Sequence, residues 1–204
     1  MANPMYGQNK YDNSNDLIIS DNGIAFFKRN VISMGATTAE TDLTVAQSGS
    51  LINLNSTASQ IQVINLPTIQ SDDVGTWYEF VITIAGNSGA AGSYTINTGG
   101  HATDASGDSA TKGYDDMIGT IKVLDNAAYT NADKSNCVPA GGEGTLVLAD
   151  DTSNAAIAVG SSFTLTAVAE STIGTASANV WLIDGTLMSG DATGFVTGAL
   201  FTAP

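Results

Sequence analysis

Tyr78, Phe80, Ile82 and Ile84 alternate along one run with Trp77, Glu79, Val81 and Thr83. A period of two in aromatic and β-branched residues belongs to a half-buried strand. An amphipathic helix would instead need an apolar stripe with a period near 3.6. The flanking sequence reads the same way. LTVAQSGSLINLN, from Leu43, and SQIQVINLP, ending at Pro67, are short apolar runs closed by turn residues. Ile61, Val63 and Leu66 mark the second run, which Pro67 stops. Far downstream stands Val180-Trp181-Leu182-Ile183-Asp184-Gly185.

Extended over the chain, this pattern gives strand candidates at 43–46, 50–54, 60–66, 77–85, 92–97, 118–124, 144–148, 162–169 and 178–184. Gly49, Pro67, Gly86-Asn87 and Gly99-Gly100 separate several of them. No long segment carries apolar residues at i, i+3 and i+4 between capping signals. Residues 39–46 and 102–111 have room for one or two helical turns. The expected fold is therefore all-β: a compact sandwich or barrel of about nine short strands, jelly-roll-like or related. No internal repeat stands out. Val63, Phe80, Ile82, Phe163, Val180, Trp181 and Leu182 are the expected core anchors, with Trp77 alternating opposite to Phe80.

Two regions interrupt the pattern. Residues 1–35 read as an extended N-terminal arm with a short hairpin, and residues 36–204 as the β domain. The first sixteen positions are polar, with Asn3, Asn9, Asn13 and Asn15, and lack the apolar content to order alone. Leu17-Ile18-Ile19-Ser20 and Ile24-Ala25-Phe26-Phe27 flank Asp21-Asn22-Gly23, whose Asn-Gly pair supplies the positive φ of a tight turn. Val31 to Met34 extend the second strand in this reading. The other interruption is a loop-rich insertion near 98–144, dense in glycine. Long loops within a compact domain are usually functional or interfacial.

Charge narrows the functional classes. Twenty acids against six bases give −14, and no basic stripe exists, so a nucleic-acid surface is not expected. The acidity suits the solubility of an exposed surface, or a surface that divalent cations or a basic partner face neutralise. Cys137 is the only cysteine and forms no internal disulfide, which does not suit an oxidising compartment. The start MANPMYGQNK carries no apolar signal segment, and no apolar run is long enough for a membrane helix. No membrane partner is expected, and the site of synthesis is a cytoplasm.

Candidate chemistry is thin. His101 is the only histidine and sits in Gly99-Gly100-His101-Ala102-Thr103-Asp104, a solvent-loop composition. A Ser-His-Asp triad would have to use it, and Gly86-Asn87-Ser88-Gly89 has the wrong spacing for a nucleophile elbow. Cys137 would need His101 beside it to act as a nucleophile. Asp104, Ser106, Asp108 and Asp115 follow part of a calcium-loop spacing. The match fails because Ser109 replaces the turn glycine and Asp115 replaces the bidentate glutamate. Asp72-Asp73, Asp115-Asp116 and Asp150-Asp151 suit turns, where Asp bonds its own backbone. Neither a catalytic residue, a cofactor nor a metal ligand is expected.

The series Leu43-Thr44-x-x-x-Ser48-Gly49, a strand ending Leu66-Pro67, Tyr78-x-Phe80-Val81-Ile82 and a late Trp181-x-Ile183-x-Gly185 resembles the head decoration (capsid cement) proteins of tailed bacteriophages. The resemblance spans roughly Leu43 to Gly185. The leader and the middle from Thr98 to Gly144 depart from it. It implies a virion structural protein on the capsid exterior that binds the major capsid protein and reinforces the lattice. It also implies a homo-oligomer, a trimer preferred over a dimer, and carries no catalytic residues. Leu17, Ile18, Ile19, Phe26, Phe27, Lys28 and Arg29 of the arm are then the expected contacts to the capsid or to a neighbouring subunit. The alternatives are a carbohydrate-binding surface module, another virion part such as a head fibre or tail component, and, with the least support, an enzyme. Exposed aromatics beside an acidic cleft would favour the carbohydrate module; buried Trp77 and Trp181 would oppose it.

Overall fold

A computed structural model describes residues 18–20, 23–26, 29–35, 40–55, 61–69, 71–84, 94–98, 116–125, 135–137, 139, 144–148, 158–173, 176–189 and 200–202. Strands make up 60% of them, and the only helical pieces among them are the 3-10 turns Val45–Gln47 and Ser71–Asp73. The all-β expectation holds. The expected strand at 43–46 does not form. Gln47 Oε1 accepts the Thr44 N–H at 2.8 Å, and this local bond closes a 3-10 turn instead.

The first described element is a hairpin, β1 (Ile18–Ser20) and β2 (Gly23–Phe26), which forms a two-stranded sheet by itself among the described residues. Ser20 pairs with Gly23. From there the chain alternates between two larger sheets. β3 (Val31–Ser33), β5 (Leu51–Leu54) and β7 (Trp77–Ile82) enter a seven-stranded sheet. The strands that follow each of them, β4 (Thr41–Asp42), β6 (Gln62–Asn65) and β8 (Tyr94–Asn97), enter a five-stranded sheet. Same-sheet neighbours in this series are parallel. A parallel pair needs a crossover connection, and here each crossover is itself a strand of the opposite sheet. The first half of the chain is thus a coil that lays one rung on the next.

The rungs explain the composition. Val31, Ile32 and Ser33 lie in register with Leu51, Ile52 and Asn53. Asn30 Nδ2 donates to Ser50 Oγ at 3.2 Å, Arg29 Nε to Gly49 O at 3.1 Å, and the Gly35 N–H to Asn55 Oδ1 at 2.8 Å; each spans 20 residues. A structural repeat is present that the sequence does not announce, since only the polar–apolar pattern recurs. Val31–Ser33 is also not an extension of β2, as expected, but a separate strand on β5.

The remaining strands are β9 (Asp116–Asp125), β10 (Ser135–Cys137), β11 (Thr145–Leu148), β12 (Ser162–Ile173), β13 (Ala176–Ser189) and β14 (Phe201–Thr202). The sheet orders are β10-β9-β13-β12-β7-β5-β3 and β14-β11-β8-β6-β4. Except for the parallel pair β13–β9, the later pairings are antiparallel. One apolar cluster joins Ile52, Phe80, Phe163 and Trp181 of the larger sheet to Ile64, Tyr94, Ile96 and Leu146 of the smaller one. The two sheets therefore face each other across a shared core, which is a sandwich.

Within that core Phe80 and Phe163 are cross-strand partners whose rings stack with centroids 4.9 Å apart. Trp181 pairs with Ala167, whose small side chain leaves room for the indole, and lies 5.9 Å from the Tyr78 ring. At Gly119, with φ of 115°, β9 comes so close to β13 that a Cβ would overlap the Ile183 carbonyl.

Five of the expected core anchors are buried: Phe80, Ile82, Phe163, Val180 and Trp181. Two are not. Leu182 is 39% exposed, because Trp181 and Ile183 take the inward positions on β13. Val63 is half-buried, because β6 turns Gln62 and Ile64 inward and leaves Ile61 exposed. Gln62 is tolerated there because its Nε2 donates to Gly35 O at 3.4 Å.

Candidate interaction surface

The outer face of the seven-stranded sheet follows from β7. Tyr78, Phe80 and Ile82 point into the core, so Trp77, Glu79 and Val81 point out. Strand register carries two rows across this face. One contains Val31, Leu51, Glu79, Thr164, Asp184 and Thr120. The other contains Trp77, Thr166, Leu182 and Ile118, with Trp77 at 36% and Leu182 at 39% exposure.

Arg29 organises the β3 end of this face. Its guanidinium stands 4.9 Å from the Trp77 ring centroid, and its Nη1 pairs with Glu79 Oε2. The pair is about one-third exposed on each side, so water and salt leave it about 0–1 kcal/mol. Its effect is positional. Together with the Nε bond to Gly49 O, it ties the entry of β3 to β5 and β7.

A second polar line crosses the smaller sheet. Asn65 Nδ2 donates to Asp42 Oδ1 at 2.8 Å, Asn97 Nδ2 to Asn65 Oδ1 at 3.1 Å, and Thr145 Oγ1 to Asn97 Oδ1 at 3.1 Å. These residues lie on β4, β6, β8 and β11 in turn. Each bond ties one strand to the next, from the exposed Asp42 through the half-buried Asn65 to the buried Asn97 and Thr145, and satisfies the buried members.

Of the expected arm contacts, Leu17, Phe27 and Lys28 lie outside the described residues. Ile18, Ile19 and Phe26 stand at backbone positions of the β1–β2 hairpin. Arg29 is tied to the seven-stranded sheet through Gly49 O and Glu79. His101, the Asp104–Asp115 loop and Asp150-Asp151 also lie outside the described residues. Cys137 pairs with Ile121 in β10, Asp116 with Val180 in β9, and Asp72-Asp73 form the second 3-10 turn. Among the described residues no three His, Cys, Asp or Glu side chains gather as a metal-holding group. The Tyr78 hydroxyl donates to Thr44 O at 2.7 Å, and burial, aided by the Asp73 carboxylate, raises its pKa well above the tyrosine range. It is a neutral donor, not a base.

Sequence reasoning found Arg29 but missed its partner Glu79 and the edge strand it holds. The contacts run over 20 and 50 residues, and nothing local encodes them. The two tryptophans divide: Trp181 is fully buried, and Trp77 is exposed with Arg29 over its ring. No family model matches the chain, and neither a curated protein nor a solved structure does.

Proposed function

We propose that this chain is a virion structural protein that binds the outer surface of a phage capsid and reinforces its lattice. One observation carries this reading: an N-terminal hairpin pairs with neither large sheet and is followed at once by an edge strand tied into the body. A two-stranded hairpin is marginally stable alone in water, so this one is built to find a partner. The sequence resemblance between Leu43 and Gly185 supports the same reading.

The body in this reading is a variant sandwich, jelly-roll-like in its two facing sheets but opening with a parallel coil. Residues before Arg29 are the extended arm. Leu17, Ile18, Ile19, Phe26 and Phe27 contribute apolar area at about 25 cal/mol per Å² when covered. The partners are the major capsid protein and other copies of this chain, assembled as a trimer in preference to a dimer. Closed symmetry multiplies weak contacts through avidity. The chain would be made in the host cytoplasm and reside on the capsid exterior.

The test is attachment to shells by the full chain and by one lacking residues 1–26, which spares Arg29 and β3. The truncated protein should keep its melting transition and lose attachment. The exposure of Trp77 favours a second reading, a carbohydrate-binding surface module. Arg29 over the indole already occupies a stacking face, which weighs against a sugar platform.

A further inference from the structure

The outer face of the seven-stranded sheet differs in charge from the rest of the chain. Among the described side chains there are two bases, Arg29 and Lys122, and both stand on this face. Arg29 pairs with Glu79, and Lys122 points outward between the buried Ile121 and Val123. The described acids on the face are Glu79 and Asp184, so its charges cancel. Glu40, Asp42, Asp72 and Asp73, the other described acids, lie off it, at β4 and in the second 3-10 turn. Setting the face's two bases and two acids aside leaves 4 bases and 18 acids, which carry the whole −14.

The remainder of the face is apolar or hydroxyl-bearing. Trp77 and Leu124 are each 36% exposed, Leu182 39% and Val31 53%. Thr164 and Thr166 lie half-buried between them on the central strand β12. Sheet faces of this kind pack on one another, and the cores of interfaces are depleted in charge and enriched in tryptophan. From β9 to β3 the face is six strands wide, and β12 gives it four outward residues in length. At about 4.8 Å per strand and about 6.7 Å per outward residue, less the short β3 and β5, it offers about 600 Å² of flat area. Accessible area exceeds flat area, so the face approaches the roughly 800 Å² per partner of a specific interface.

Charge decides the occupant. At physiological ionic strength charges more than about 8 Å apart are largely screened, so the local charge of the facing surfaces governs their approach. Two acidic surfaces of this chain repel each other, and a basic partner is drawn to those surfaces. Two copies of the uncharged face meet without that repulsion.

We propose that the outer face of the seven-stranded sheet is the surface through which copies of this chain associate, each face turned to its neighbours around a shared axis. This rests on the oligomeric part of the function proposed above and not on the shell. Closed symmetry places the same patch on every subunit at the contact.

The test is sedimentation equilibrium of the full chain without shells, against a single-chain mass of 20.8 kDa. The parent and Thr166→Val should sediment as a multiple of that mass. Thr166→Glu and, separately, Lys122→Glu put uncompensated negative charge on each face, and should weaken self-association about tenfold or more. Lys122 is exposed, so its variant decides the matter even where Thr166→Glu fails to fold. A parent at single-chain mass would overturn the proposal, as would an oligomer that Lys122→Glu leaves equally tight. Shell attachment is measured separately. A chain that is single in solution yet pellets with shells would remove this interface and leave the decoration reading standing.

Discussion

Asn97 Nδ2 donates to Asn65 Oδ1 at 3.1 Å, joining the same position on two successive rungs of the coil. Asn97 is 4% exposed and also accepts from Thr145, so its amide is satisfied on both sides. Asn97→Ala would leave the Thr145 hydroxyl buried without that acceptor, at a cost of about 1–3 kcal/mol. Urea unfolding should show a lowered midpoint with an unchanged slope. An unaltered midpoint would mean that the line of side chains does not hold the rungs together.

Gly185 faces Phe163 so closely that an added Cβ would lie 2.5 Å from the Phe163 Cα. The phenyl ring of Phe163 cannot retreat without losing its stack on Phe80. Gly185→Ala should therefore cost about 1–3 kcal/mol through overpacking. A companion change, Phe163→Leu, should leave that cost standing, because the added Cβ meets the Phe163 Cβ and Cα and the Ser162 carbonyl, none of which leucine removes. Thermal unfolding of the two single variants and the double variant gives the coupling.

The neighbouring residues of β13 should respond in opposite ways. Trp181 is fully buried, and Trp181→Ala should cost about 3–5 kcal/mol. Leu182 is on the outer face, and Leu182→Ala should stay within about 0.5 kcal/mol of the parent. Denaturant melts of the pair check the strand's facing directly.

Much of the sandwich was legible in the sequence, and the reasons for the remainder are physical. The run from Trp77 keeps an unbroken apolar set on one face, Tyr78, Phe80 and Ile82, and places its only polar residues, Glu79 and Thr83, on the other, so β7 and its inward face could be read. On β6 and β13 both faces carry apolar residues, and alternation alone could not choose between Val63 and Ile64 or set Leu182 outside. The rungs were hidden because their spacing is uneven, with Val31 beside Leu51 but Leu51 beside Glu79, and because they share hydrogen-bonding geometry and not residue identity: Ser33 lies opposite Asn53, and Asn30 bonds Ser50. The candidate surface was the least legible part. Arg29 and Glu79 meet only because β7 lies beside β5, and strand order is not written in local pattern.

Tyr78 gives the fold an alkaline limit. Its folded pKa is raised, by burial first and by Asp73 second, above the ordinary tyrosine value near 10. The neutral hydroxyl is then favoured in the folded state, so its contribution is complete below about pH 10. Above that, stability should fall by about 1.4 kcal/mol per pH unit until the folded pKa is reached. Tyr78→Phe should lose about 1 kcal/mol near neutral pH, with the Thr44 hydrogen bond, and show a shallower decline at alkaline pH. Chemical unfolding of both proteins at several alkaline pH values measures the difference.

Co-sedimentation with capsid shells tests the central claim most directly. Full-length protein should pellet with shells carrying its major capsid protein and remain in solution without them. The chain lacking residues 1–26 should melt as the parent does yet stay in the supernatant. A full-length protein that never pellets with such shells, yet binds glycans, would contradict the decoration reading.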